Sequence, residues 1–330
     1  MKKQSSPGIG DPLAGKGRYQ QETNASCIVV GGGPVGISCA AIMSCAGLKT
    51  TLVSSTLPPG RWRAKIEGDT SLLSEFVVLT RERISEMPQP QFICLARPAG
   101  LYLEDLALVS EAWRMSQSAI YTFANGLWTG AETEGANRFV LNFAISGFGD
   151  PGTAAAVINV RAVERSYVPK AGLGAEVARI YQNVAGLPVQ AVDDRVLRHE
   201  LYRKVILNSV ANGVAAITAQ SMRQLAESAP LYEGIDSLAR EGSEVLGLEM
   251  DSLHWREWLA AGGDHIPSTA RAILHRRSND IDFLNGAIVA RASVQKRLAP
   301  YNNLVTFLAR NRIRLSAEDL AACFGNLHRN

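Results

Sequence analysis

Hydrophobic positions first become regular at Ser26. The run S-C-I-V-V predicts a short buried strand, G-G-G-P-V-G a glycine turn, and I-S-C-A-A-I-M-S-C-A-G a helix of small residues closed by Gly47. K-T-T-L-V-S-S predicts a second strand, and further strand-like runs are Q-F-I-C-L-A before Arg97, S-A-I-Y-T-F-A before Asn125-Gly126, and R-F-V-L-N-F-A-I. Strands alternating with helical stretches continue to about Val192, the order of a doubly wound α/β sheet. Beyond Val192 the pattern is helical almost throughout: D-D-R-V-L-R-H-E-L-Y-R-K opens one helix, a second runs from about Leu231 to Leu248, and I-P-S-T-A-R-A-I-L and A-P-Y-N-N-L-V-T-F-L-A-R begin others. The expected organisation is a tail over residues 1–23, an α/β domain over 24–193 and an all-helical C-terminal domain over 194–330.

One helical stretch breaks its own pattern. Within K-V-I-L-N-S-V-A-N-G-V-A-A-I, Lys204, Asn208 and Asn212 stand four residues apart, and at about 100° per residue they fall within roughly 80° of one another. Desolvating three polar heads costs about 1–3 kcal/mol each unless they find partners. The stripe is therefore expected to line a polar cleft near the seam between the two domains.

Composition narrows the class. Of 330 residues 46% are hydrophobic, enough for two cores, and the net charge of +3 is spread without blocks, so neither nucleic acid nor membrane is implied. The tail is rich in Gly, Pro and polar types, with no apolar stretch to serve as a signal, which leads to the expectation of a cytoplasmic protein. Five cysteines lack metal-ligand spacing and read as small buried hydrophobes; no metal site is expected.

The strand, glycine turn, helix, strand order around Gly31, Gly33 and Gly36 is the dinucleotide-binding βαβ unit of a Rossmann-type domain. Gly31 allows the tight turn, Gly33 lets backbone approach a pyrophosphate, Gly36 lets the helix pack on the strand, and the turn's Pro34 and Val35 open the helix whose N-terminus offers amides to the anion. At the end of the second strand, where a carboxylate would select NAD or FAD, stand Ser54 and Ser55, and Arg61 or Arg63 in the following loop could meet a 2′-phosphate. NADP is the expected cofactor. Arg97 and Asn125 lie at strand carboxyl ends, where ligands bind in such sheets.

Taken together, these pieces resemble the ketopantoate reductases, from Cys27 to about Arg310. G-G-G-P-V-G, Arg97 at the place of a strand-end lysine, A-N-G at 124–126, Y-R-K-V-I-L-N-S-V-A-N at 202–212, S-T-A-R-A at 268–272, N-D-I-D-F-L-N-G at 279–286 and A-P-Y-N at 299–302 follow that family's motifs in order and spacing. The resemblance implies a helical domain like the C-terminal one of 6-phosphogluconate dehydrogenase, and NADPH-dependent reduction of a 2-keto acid to a 2-hydroxy acid. It gives Lys204 the role of acid, Asn208 and Asn212 those of orienting substrate and lysine, and Ser268 and Asp280 those of binding substrate. Asn125 would hold the nicotinamide side and Arg97 the phosphate side of the cofactor. A small 2-keto acid is the expected partner, and a homodimer the expected assembly.

The departures bear on the substrate. Asp280 is one methylene shorter than the family's Glu, Tyr202 replaces a Trp, Thr269 and Ala272 replace the Met and Asp of the serine motif, and Met222 falls near a usual Asn. A bland reading of the last motif is an Arg276–Asp280 ion pair at i,i+4 spacing. Alternative activities are a flavin-dependent oxidoreductase, an opine- or imine-type reductase of related architecture, and a dinucleotide sensor without turnover.

Overall fold

The computed structural model describes residues 25–113, 117–128 and 137–327; the tail expected over 1–23 lies outside them. β1 (Ser26–Val30), α1 (Pro34–Cys45) and β2 (Lys49–Val53) form the first unit, with β1 and β2 parallel. An antiparallel hairpin follows, β3 (Gly60–Gly68) and β4 (Leu72–Leu79), and then β5 (Phe92–Leu95), α2 (Tyr102–Ala112) and β6 (Ala119–Thr122). The two-residue β7 (Asn137–Arg138), β8 (Phe143–Asp150) and β9 (Ala155–Ala162) complete a nine-stranded sheet in the order β7-β6-β5-β1-β2-β4-β3-β9-β8. A second, two-stranded parallel sheet pairs β10 (Ser166–Pro169) with β11 (Val189–Val192) around α3 (Gly174–Ala185).

Side chains of β1 alternate between two cores, as a doubly wound sheet requires. Cys27 and Val29 join α1 and α3 on one face, whereas Ile28 and Val30 join Tyr102, Val109 and Trp113 from the α2 side on the other. Cys27, Cys39 and Cys94 are free and buried in the first core, as their apolar neighbours imply. Hydrogen bonding to Cys94 and burial push the Cys39 thiol well above its usual value, so it is an inert packing group.

Two features depart from the sequence pattern. Arg61 and Arg63 sit on β3, not in a loop, because Trp62, Ala64 and Ile66 alternate with them into the core. The run R-F-V-L-N-F-A-I is not one strand; it divides into β7 and β8, at opposite edges of the sheet. A flat sheet of this size would separate its edges by about 38 Å, given strands about 4.8 Å apart. Five chain steps from Arg138 to Phe143 reach at most about 18 Å. The sheet must therefore curl, and α1 lies in the hollow, touching β8 and β9 as well as β1, β2 and β4.

After β11 every element is helical. α4 (Asp194–Asn208) is capped by Asp193, whose carboxylate accepts the N–H groups of Arg195 and Val196. A π-helical turn, Ser209–Gly213, leads into α5 (Val214–Thr218). α6 (Met222–Glu227), α7 (Tyr232–Leu246), α9 (Ser268–Leu274) and α11 (Pro300–Arg310) pack against this central helix, while α8 (Trp255–Gly262) packs on α6, and α10 (Asn285–Val294) and α12 (Ala317–Leu327) pack on α7 and α11. No helix among the described residues is long and apolar enough to cross a membrane.

Candidate active site

The glycine turn is built as its spacing requires. A Cβ on Gly36 would lie 1.8 Å from the Gly31 carbonyl oxygen, so only glycine lets α1 approach β1 here. A Cβ on Gly33 would meet nothing within 4 Å: its backbone faces open space at the α1 N-terminus, where it is the N-cap and Pro34 follows. That open, amide-bearing approach fits a dinucleotide pyrophosphate.

The residues expected around it are placed unequally. Ser54 is buried, its hydroxyl turned inward to accept the N–H groups of Thr56 and Leu57 at 3.0 Å, while Ser55 is exposed. Arg63 pairs with Glu75 at 2.7 Å; Arg61 is exposed and has no ion-pair partner among the described residues. Arg97 is engaged at 2.5 Å by Asp105, a carboxyl that burial lifts to about 6 even though Arg97 and Arg81 oppose the shift.

Lys204, Asn208 and Asn212 meet Asn125 and Ser268 in one cleft between the two halves, with Val35 of the glycine turn on its wall. On a regular helix each step of four residues drifts by about 40°. The π turn after Asn208 is wider and takes back part of that drift, so Asn212 stays over the same cleft. The Lys204 ammonium donates to the Leu141 carbonyl at 2.6 Å. Burial and the nearby Arg138 guanidinium pull its pKa down to about 7, with Asp280 opposing. Asn208 donates to the Asn125 side-chain oxygen at 3.5 Å.

Asn212 differs from its expected role. Its amide donates to the Asn208 carbonyl at 3.0 Å and its oxygen accepts the Thr269 N–H at 3.2 Å, which pins the start of α9 and so places Ser268 on the cleft. Asp280 also differs. Only 7% exposed, it accepts the Ala99 N–H at 2.7 Å and the Asn125 amide at 3.4 Å, and it stands behind the cleft wall, not on it. Burial raises its pKa. The i,i+4 pair with Arg276 does not form, because α9 ends at Leu274 and the chain turns at Arg276 with φ 56°.

Three residues that the sequence pattern did not single out belong to the site. Arg271, one turn beyond Ser268, and His265 line the cleft; burial and the arginines 271 and 161 hold His265 below its usual pKa. The i,i+3 spacing of Ser268 and Arg271 was a usable signal for the first. Arg138 is held by the Gly126 and Ala124 carbonyls at 2.5 and 3.3 Å, lies over the Trp128 ring at 4.0 Å, and has its pKa lowered to about 9 by burial. A lone arginine in an apolar run gave no hint of it. The Asn125-Gly126 turn is clamped between domains, since a Cβ on Gly126 would lie 2.2 Å from the Phe283 carbonyl. A larger cavity, about 350 Å³, lies toward the start of α4; Arg138, Trp128 and Tyr202 line it, but Lys204, Asn208, Asn212, Asn125 and Ser268 do not.

A curled Rossmann-type domain followed by a helical domain, with a lysine-bearing cleft between them, is the class of fold seen here. Residues 196–312 match the family described as ketopantoate reductase PanE/ApbA C terminal. The 2-dehydropantoate 2-reductase of Lactococcus lactis is 24% identical over 129 residues, which are 36% of this chain and 41% of that protein. A ketopantoate reductase of this family from Ralstonia eutropha superposes with a TM-score of 0.70 at 20% identity, over 90% of this chain and 99% of its own. D-mandelate dehydrogenase, solved with NADH and anilino(oxo)acetate, gives 0.69 at 18% over the same shares, and 2-dehydropantoate 2-reductase from Geobacter metallireducens gives 0.73 at 14% over 86% and 99%. Residues 196–312 thus resemble the C-terminal part of that family, and the fold of the chain is the one its solved structures show.

Proposed function

We propose that this protein reduces a 2-keto acid to a 2-hydroxy acid with a nicotinamide dinucleotide, NADPH being favoured. The observation that carries the reading is the Lys204 ammonium, half-buried and poised near neutrality in a cleft that also holds Ser268 and the Val35 edge of the glycine turn. A bound nicotinamide supplies the hydride. The lysine does the rest of the polar work: its charge draws electron density to the carbonyl oxygen, and its proton forms the new O–H bond as the C=O double bond opens and the carbon gains hydrogen. With a pKa of about 7 it gives up that proton readily and regains one from water.

The Asn208 and Asn125 amides, hydrogen-bonded to each other and through Asn125 to Asp280, form a fixed rail beside the lysine. Asp280 and Asn212 are positioning residues on this reading, and Ser268 with Asn208 holds substrate. Arg61, exposed at the start of β3 and without an ion-pair partner among the described residues, supports a preference for a 2′-phosphate. The related D-mandelate dehydrogenase was solved with NADH, so both nucleotides belong in the test. A panel of 2-keto acids assayed by nicotinamide absorbance with NADPH and with NADH tests the proposal. Oxidation dependent on a keto acid is expected, faster with NADPH; no oxidation across the panel would overturn the reading. Neighbours of this fold include a dimeric ketopantoate reductase from Staphylococcus aureus, and sedimentation equilibrium on this chain tests for a dimer.

A further inference from the structure

The charges around the cleft do not balance. Lys204 and Arg271 both line it, whereas among the described residues no carboxylate does. Arg271 has no ion-pair partner among those residues, and Asp280 has one carboxylate oxygen on the Ala99 N–H and the other on the Asn125 amide. Arg271 sits one helical turn past Ser268, on the same face of α9, so the guanidinium and the hydroxyl address one ligand group. A planar fork of donors without an acid is made for a carboxylate.

The rest of the lining is mixed: Asn125, Asn142, Asn208, Asn212 and His265 are polar, and the bulkiest side chains are apolar. These include Phe123, Phe143, Ile145, Met222 and Trp258, and Met222 is packed so closely over α8 that a Cβ on Gly262 would lie 2.4 Å from its sulfur. The Asn212 amide is spent on both sides within the protein. A hydroxyl carried on a substrate side chain that packs against Phe123, Phe143, Ile145, Met222 and Trp258 would lose its water and gain no oxygen acceptor from them.

We infer that the site takes a 2-keto acid whose carboxylate is held by Arg271 with Ser268 and whose side chain is bulky, apolar and free of hydroxyl groups. This rests on the reading of the cleft as a keto acid reductase site and adds the substrate class to it. Arg271 is then a substrate-binding residue, and Met222 helps to set specificity.

The test uses a matched pair, 3,3-dimethyl-2-oxobutanoate and its 4-hydroxy derivative, which differ by one hydroxyl. An apolar pocket discriminates against an added hydroxyl by up to about 100-fold. The wild-type enzyme should prefer the unhydroxylated acid by at least about tenfold in kcat/KM, and Met222→Asn should narrow that ratio; equal use of the pair, or preference for the hydroxylated acid, overturns the inference. Arg271→Met should lower kcat/KM for keto acids by about 100-fold while leaving cofactor affinity unchanged, with Arg271→Lys in between. An equal loss on the uncharged methyl ester of the same keto acid would show a structural role and overturn the carboxylate assignment. Calorimetric titration of both acids into protein saturated with NADP⁺ reads the same preference without turnover. If no acid is reduced yet the unhydroxylated one binds tighter and depends on Arg271, the reductase reading fails and the pocket assignment stands; if reduction occurs with the opposite preference, only the assignment fails.

Discussion

The Lys204 ammonium is moored to the Leu141 carbonyl at 2.6 Å, a bond that crosses from the first helix of the C-terminal half to the short bridge between β7 and β8. It fixes the Lys204 ammonium against the N-terminal half of the chain. Lys204→Met should lower kcat by about 10²–10⁴-fold, the usual contribution of a positioned acid, with cofactor affinity intact. Because the ammonium titrates at about 7, kcat of the wild type should fall as pH rises above that value. The stability effect has the opposite sense. A lysine whose folded pKa lies below its unfolded one destabilises the fold most at low pH, where it must stay charged, and the penalty fades between about pH 7 and 10. Thermal denaturation should therefore show Lys204→Met gaining more over wild type at pH 6 than at pH 9.

Arg138 supplies part of the field that holds Lys204 down. Arg138→Met removes that positive charge, so the alkaline limb of the kcat profile should move to higher pH. A pH–rate series on the variant measures this; an unmoved limb would leave burial alone as the cause.

The fingerprint glycines separate packing from binding. Gly36→Ala places a methyl 1.8 Å from a carbonyl oxygen and should lower the melting temperature steeply or abolish folding. Gly33→Ala meets no protein atom within 4 Å, so it should melt near wild type while cofactor Kd rises at least about tenfold as the methyl obstructs the anion. Calorimetry with fluorimetric binding distinguishes the two.

The two β3 arginines make a second contrast. Arg63 is occupied by Glu75 in an exposed pair, and Arg61 is not. Arg61→Ala should raise KM for NADPH by about tenfold and leave KM for NADH nearly unchanged, the loss expected for one charge-assisted contact to phosphate. Arg63→Ala should change neither by more than about twofold, as befits an exposed pair.

Behind the cleft, Asn285 donates to the Ser209 carbonyl at 3.2 Å and to the Asn302 side chain at 3.0 Å, and Glu241 accepts the N–H groups of Tyr301 and Asn302 at the start of α11. This buried network supports the π turn. Asn285→Leu leaves polar groups without partners and should cost about 1–3 kcal/mol of stability, seen as a lower midpoint in urea. It should also reduce kcat, because Asn212 follows the turn.

Periodicity revealed the parts of the site that rest on local spacing. The fingerprint follows from three glycines in a strand-to-helix turn, and the Lys204, Asn208 and Asn212 stripe from steps of four. The 279–286 and 299–302 segments were legible as motifs but not as structure: Asn285 and Asn302 meet each other only in the folded chain. Asp280 was legible as a motif residue, but its partners were not, and Arg138 was not legible at all, since Ala99 and the carbonyls around Asn125 are brought to them only by the seam between the halves. The β3–β4 hairpin was missed because Arg61, Arg63 and Lys65 dilute its apolar face to every second residue. The split of 137–145 into two edge strands depends on the curl of the whole sheet, which no window of sequence contains.

That curl gives four residues, 139–142, an outsized mechanical duty. They span the opening where the two rims of the sheet nearly meet, and they also carry the lysine's anchor and part of the cleft floor. Any breathing of the rims is thus delivered directly to the Lys204 ammonium, whose place in the cleft is governed as much by how tightly the sheet is rolled as by the helix that bears the lysine.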